Sequence, residues 1–294
     1  MSIDVLSWDL FNNDALKRSD QIPDKVNLEN RLIFETKNFF AVCGLGAFIE
    51  GYAVIITKDY LNSFAVLDSD ELAEFDWISK KINDFYKSKY NKEIAIFEHG
   101  MCSCAGGLDH AHMHTIPSPE INENDLKNTV NKILKTRAAG INKIIFKENE
   151  FDNVHDIATI INFSSDYKIT DGKLLEFNDI NEFKGNIESI KDDIIKKEQY
   201  IYFNFNNKQV FTTNHYLGTQ FGRELVYEIY LNKNEEKKKY FNSLSRSNLN
   251  KFIWRWQDYS FEDNILSTIK EMSNYLKTNI NPKENNFGFK LRVK

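Results

Sequence analysis

The chain has 294 residues, 41% hydrophobic and 28% charged, with a formal net charge of -5. Such a composition excludes disorder as the default state, which needs low hydrophobicity and high net charge. A pI near 5.8 gives no global footprint for nucleic acid, and no apolar stretch approaches the roughly 18 residues needed to span a bilayer.

Residues 1–27 show weak periodicity and read as a peripheral arm. They lack the basic and apolar regions of a secretory signal, so a cytoplasmic protein is expected. The cysteines, Cys43, Cys102 and Cys104, are odd in number. That fits a reducing compartment better than a disulfide scaffold. Phe39–Val42 and Tyr52–Ile56 are apolar, β-rich runs separated by Gly44, Gly46 and Gly51, which predicts a hairpin-like connection. Leu72, Phe75, Ile78, Ile82 and Phe85 then recur at helical spacing. Ser69, Asp70 and Glu71 supply a start signal for that helix, and Asn91 a stop. Residues 93–98 alternate as a strand.

The segment Met101–Gly107 is a small-residue loop. It leads into Leu108-Asp109-His110-Ala111-His112-Met113-His114-Thr115-Ile116-Pro117. Of the 6 histidines, four (His99, His110, His112 and His114) fall in this neighbourhood; even spreading would place about a third of one there. A strand puts alternate residues on one face, so His110, His112 and His114 would point the same way. Three imidazoles in a row have three uses. They can bind a metal, perform nucleophilic and acid–base chemistry, or form structural hydrogen bonds at a sheet surface. Pro117 and Pro119 end the strand, and Leu126, Val130, Ile133 and Leu134 continue as a second amphipathic helix.

Beyond residue 140 the pattern is weaker. A helix is expected within 177–197. Tyr200–Phe205 and Lys208–Thr213 read as a hairpin turning at Asn206-Asn207. Further helices are expected at 217–231 and 261–276. Gln220 and Arg223 stand three apart at a helix start, where an anion can be held. Cys102-x-Cys104 with His99 could be read as a zinc site, but the spacing is short and no second cysteine pair exists. Lys237-Lys238-Lys239 beside Glu235 and Glu236 reads as a solvated face.

His110-Ala111-His112-Met113-His114-Thr115-Ile116 resembles the His-φ-His-φ-His-φ-φ motif (φ hydrophobic) of the histidine triad (HIT) superfamily of nucleotide hydrolases and transferases. The likeness covers about residues 28–136, with Glu50-Gly51-Tyr52 and Thr57–Tyr60 where the family's Gly-His and Pro-x-x-His elements fall. It implies an α+β HIT-like antiparallel sheet with helices on one face (28–138), followed by a C-terminal α/β extension (139–294). It also implies a mechanism. His112 would attack the α-phosphorus of a nucleotide conjugate, His114 would hydrogen-bond phosphate oxygens, and His110 would orient the nucleophile's partners. Ser103, Gly106 and Gly107 would supply loop donors to phosphate. Glu98 and His99 stand where many members carry an Asn near the ribose or phosphate.

The chain departs from the family at Gly44, where members carry an acidic or amide residue against the ribose. It departs again at Tyr52 and Tyr60, which replace histidines, and in the shortened segment Leu108-Asp109. The expected reaction needs no cofactor and no metal, and its partner is a nucleotide or nucleotide conjugate, not a membrane or nucleic acid. A homodimer is compatible with it. Two other readings stay open on sequence grounds: a metal-dependent hydrolase with His110, His112 and His114 as ligands, and a degenerate HIT protein that binds nucleotide or a partner without turnover.

Overall fold

A computed structural model of the protein describes residues 28–44, 47–59, 61, 63–100, 111–120, 129, 200–205, 208–213, 226, 229, 261–281 and 286–292. A short helix α1 (Leu28–Arg31) leads into β1 (Leu32–Glu35). The two β-rich runs become β2 (Phe39–Cys43) and β3 (Ala53–Thr57), paired antiparallel from Phe39↔Thr57 to Cys43↔Ala53. The expected hairpin-like connection is therefore present. Every residue of both strands is buried, which explains why they read as continuous apolar runs instead of alternating ones.

The predicted first helix is α2 (Ser69–Tyr90). It starts at the sequence signal, with its cap one residue earlier. Asp68 is the N-cap and forms a reciprocal capping box with Glu71, each side chain accepting from the other residue's backbone N–H at 2.8 Å. Asn91 closes the helix in the left-handed region at φ 53°, a conformation that asparagine tolerates. All five apolar positions read from the periodicity are buried. Strands β4 (Ile94–Gly100) and β5 (His112–Pro117) follow.

Both strands of the predicted C-terminal hairpin form, as β6 (Tyr200–Phe205) and β7 (Lys208–Thr213). The later helix is α3 (Glu262–Asn279), and β8 (Lys290–Leu291) ends the described chain. The expected helix over 217–231 is described only at Val226 and Ile229, both helical and buried. The helix after Pro119 is described only at Thr129. Residues 1–27 and the segment 177–197, where a helix is expected, lie outside the described residues.

These strands form one eight-stranded sheet of order β7-β6-β4-β5-β3-β2-β1-β8, with every neighbouring pair antiparallel. The segment expected as a C-terminal extension thus adds strands at both ends of the sheet. β6 pairs with β4 from Ala95↔Phe205 to Gly100↔Tyr200, and β8 pairs with β1. The architecture is α+β.

Helices α2 and α3 lie on one face. Phe39, Phe64 and Phe75 cluster there, with ring centroids 4.9 to 6.3 Å apart, and Phe85 of α2 meets Tyr275 of α3 at 5.6 Å. Burying each such ring stabilises the fold by about 1.5–3 kcal/mol. A buried carboxylate on this face is matched. Glu74, 1% exposed, accepts from the backbone N–H and the side-chain amide of Asn38, both at 2.8 Å. No helix among the described residues is long and apolar enough to cross a membrane.

Candidate active site on the side of strand β5 away from α2

Register decides which residues share a face. Val54 pairs with His114 and Ile56 with His112 on one side, and Phe97 pairs with His114 on the other. Cross-strand partners share a face, so Val54, Ile56, Phe97, His112 and His114 lie together. Val42 and Phe40 extend the same surface through their pairing with Val54 and Ile56. The opposite parity, with Met113 and Thr115, faces the helices: Thr115 Oγ1 lies 3.1 Å from the Tyr86 hydroxyl of α2. The two histidines thus stand on the side of β5 away from α2. Both are partly buried, whereas Val54, Ile56 and Phe97 beside them are at most 8% exposed.

The imidazoles are held differently. The His112 and His114 rings meet edge-to-face, centroids 5.0 Å apart and planes at 75°. His114 is stacked on Phe97, centroids 4.5 Å apart and planes within 10°. Its Nδ1 shares a 2.8 Å hydrogen bond with the Tyr52 hydroxyl. His114 is therefore fixed both in plane and by one ring nitrogen. A fixed imidazole beside a second one at van der Waals range can present a nitrogen lone pair and an N–H to the same ligand atom group.

Gly44 and Tyr52 are one structural event. Gly44 N–H donates to the Tyr52 carbonyl at 3.1 Å, continuing the β2–β3 pairing by one residue. A Cβ on Gly44 would sit 2.3 Å from Tyr52 Cδ1. The Tyr52 ring, 2% exposed, occupies the space that a side chain at position 44 would need. The absence of an acidic residue at 44 and the presence of a tyrosine at 52 thus follow from one packing arrangement.

Of the other expected site residues, Glu98 is set apart from the pair, whereas His99 keeps the strand parity of Phe97. Glu98 is 1% exposed and lies on the helix-facing side, since its neighbour Phe97 faces the histidines. Its Oε1 accepts from the Phe64 backbone N–H at 2.8 Å, so the carboxylate anchors the segment that enters α2 and is not brought to His112 and His114. His99 is on β4, paired with Ile201 two residues beyond Phe97. His110, Ser103, Gly106, Gly107, Gln220 and Arg223 lie outside the described residues, as do Tyr60, Cys102 and Cys104. Among the described residues no group of three His, Cys, Asp or Glu side chains could hold a metal; the trio with His110 extends beyond them.

Cys43 is free and buried. Burial pushes its thiol up to about 12, against a smaller opposing pull from the Arg31 guanidinium. It is un-ionised near neutrality and therefore a poor nucleophile. Arg31 is itself lowered to about 10 by burial, and its Nη1 donates to the Cys43 carbonyl at 2.7 Å.

Sequence reasoning missed Phe97 as the stacking platform. The signal available was the alternation over 93–98, which puts Phe97 on one parity; only the β4–β5 register puts it under His114. Tyr52 was visible as a replacement, but its bond to His114 was not.

No protein-family profile matches the chain, and no curated protein matches it. Among solved structures it is similar to a HIT-like protein involved in cell-cycle regulation from Bartonella henselae, crystallised with an unknown ligand. The two are 19% identical, the match covers 38% of this chain and 79% of that one, and the TM-score is 0.29.

Proposed function

We propose that the chain is a nucleotide-conjugate hydrolase or nucleotidyltransferase that works at the α-phosphate through a nucleotidyl-histidine on His112. The observation that carries this reading is the pair His112 and His114, side by side on an apolar sheet face with His114 clamped between Phe97 and Tyr52. It agrees with the chemistry implied by the His110–Ile116 motif.

In the proposed reaction a neutral ring nitrogen of His112 donates its lone pair to the α-phosphorus, and the bond from phosphorus to the leaving group breaks. Water or another acceptor then displaces His112 and releases the nucleotidyl group. Imidazole suits the first step because it is uncharged at the attacking nitrogen near pH 7. His114 supplies a donor to a phosphate oxygen, and the low-polarity floor of Val54, Ile56 and Phe97 strengthens that interaction. His110 and backbone donors around Ser103, Gly106 and Gly107 belong to the same proposal, with Gln220 and Arg223 as further anion contacts.

The test is mass spectrometry of the full chain after incubation with adenosine 5′-phosphoramidate and with dinucleoside polyphosphates. The expected result is a nucleotidyl adduct on His112, formed equally in the presence of EDTA. Turnover that EDTA abolishes, with a stoichiometric metal in the purified protein, would overturn the reading in favour of a metallohydrolase. Nucleotide binding with neither adduct nor turnover would leave a binding protein.

A further inference from the structure

We propose that Tyr52 is a positioning residue that fixes His114 as its neutral Nε2–H tautomer, so that the ring's donor lies on the edge away from Tyr52. The functional consequence rests on the nucleotidyl-transfer reading above; the tautomer itself does not.

The Tyr52 hydroxyl and His114 Nδ1 are 2.8 Å apart. Which atom donates follows from their chemistry. A phenol O–H is a stronger donor than a neutral imidazole N–H, and an imidazole lone pair is a stronger acceptor than a phenol oxygen. The favoured pairing therefore has Tyr52 donating and Nδ1 accepting. A neutral imidazole has one proton, which must then be on Nε2. Nε2 is across the ring from Nδ1, on the edge away from Tyr52.

The hydroxyl is held in place from several directions, so it does not simply follow the histidine. The Tyr52 ring is nearly fully buried, fills the space left by Gly44, and packs against Phe48 at 6.0 Å. The turn that carries it is pinned by α3. Asn264 donates to the Ala47 carbonyl at 2.8 Å, Ser267 donates to the Glu50 carboxylate, and Gly51 N–H donates to Thr268 Oγ1 at 2.8 Å. From the other side the Tyr86 hydroxyl donates to the Gly51 carbonyl at 2.6 Å. Gly51 itself has φ +86°, and a Cβ there would meet Pro117 Cγ at 2.8 Å, so the turn has little freedom to relax. A helix more than 200 residues further along the chain thus sets where a phenol sits beside a histidine.

The experiment is NMR of the full chain labelled with 15N-histidine, with His114→Gln identifying the His114 signals. In the wild type His114 should show a bare Nδ1 and a protonated Nε2. In Tyr52→Phe, which keeps the ring and loses only the hydroxyl, that preference should collapse towards a tautomer mixture. A protonated Nδ1 in the neutral wild-type ring would overturn the proposal, as would an unchanged tautomer in Tyr52→Phe. Should Tyr52→Phe fail to fold, the wild-type spectrum still decides. Turnover of adenosine 5′-phosphoramidate adds a second readout. Tyr52→Phe is expected to lose about tenfold in kcat, and an unchanged kcat would remove the functional half. No turnover by the wild type would count against the nucleotidyl-transfer reading alone and leave the spectral result standing.

Discussion

On the helix-facing side of β5, Met113 and Thr115 are wholly buried, and Thr115 Oγ1 is tied to the Tyr86 hydroxyl and to the Ala53 carbonyl. On the other side, His112 and His114 are partly buried and stand among buried apolar neighbours. A buried tyrosine serves each side. Tyr86 bonds to backbone and to a threonine, so its hydroxyl is spent on holding the fold. Tyr52 bonds to an imidazole nitrogen, so its hydroxyl is spent on positioning a histidine side chain. The difference is one of parity along a single strand. The face against the helices uses its tyrosine to hold backbone and threonine, whereas the other sets its tyrosine against an imidazole.

Substitutions on the two faces should therefore fail in different ways. The largest effect belongs to the histidine face: His112→Ala should remove the covalent intermediate and lower turnover by about 10³-fold or more. Its thermal midpoint should stay close to wild type. Substantial turnover with the adduct on another residue would show that the nucleophile is misassigned.

Glu98→Ala tests the helix face. It leaves the buried Phe64 N–H without its acceptor, and such a loss costs about 1–3 kcal/mol. Urea denaturation should show that drop, while the folded fraction still forms the His112 adduct. Loss of the adduct with unchanged stability would move Glu98 to the catalytic face.

Gly44→Ala joins stability to chemistry. Its methyl group would collide with the Tyr52 ring, and overpacking of this kind costs about 1–3 kcal/mol. Because the ring must shift, the variant should also disturb the His114 signals seen by NMR. A crystal structure with Tyr52 undisplaced would contradict this.

The smallest effect is at Cys43. Its folded-state thiol is raised from 9.0 to about 12 by burial, so the unfolded chain loses this proton first. Between pH 9 and 10 the folded state binds more protons at this site, and stability should fall as pH rises. Above about 10 Arg31, whose folded value is lowered, works in the opposite sense. Cys43→Ala should flatten the slope between pH 9 and 10 in urea titrations. Native Cys43 should also resist iodoacetamide at pH 8.

Much of the local structure was legible in the residues themselves. The spacing of Leu72, Phe75, Ile78, Ile82 and Phe85 marked a helix with its buried stripe, because a 3.6-residue period has one apolar solution. The hairpin at 200–213 was legible from its β-rich runs and asparagine turn. Alternation alone placed His112 and His114 on one face, since a strand repeats every two residues.

Long-range register was not legible, because nothing in a strand's own residues names its partner. Only the tertiary structure put Phe97 under His114, turned Glu98 toward the helices, and brought Thr268 to the Gly51 turn. Gly44 and Tyr52 each looked like a separate departure until β2 and β3 were paired. Strand period is a property of the backbone and can be read one residue at a time. The bond between Tyr52 and His114 depends on two strands and two helices meeting, and only packing decides that.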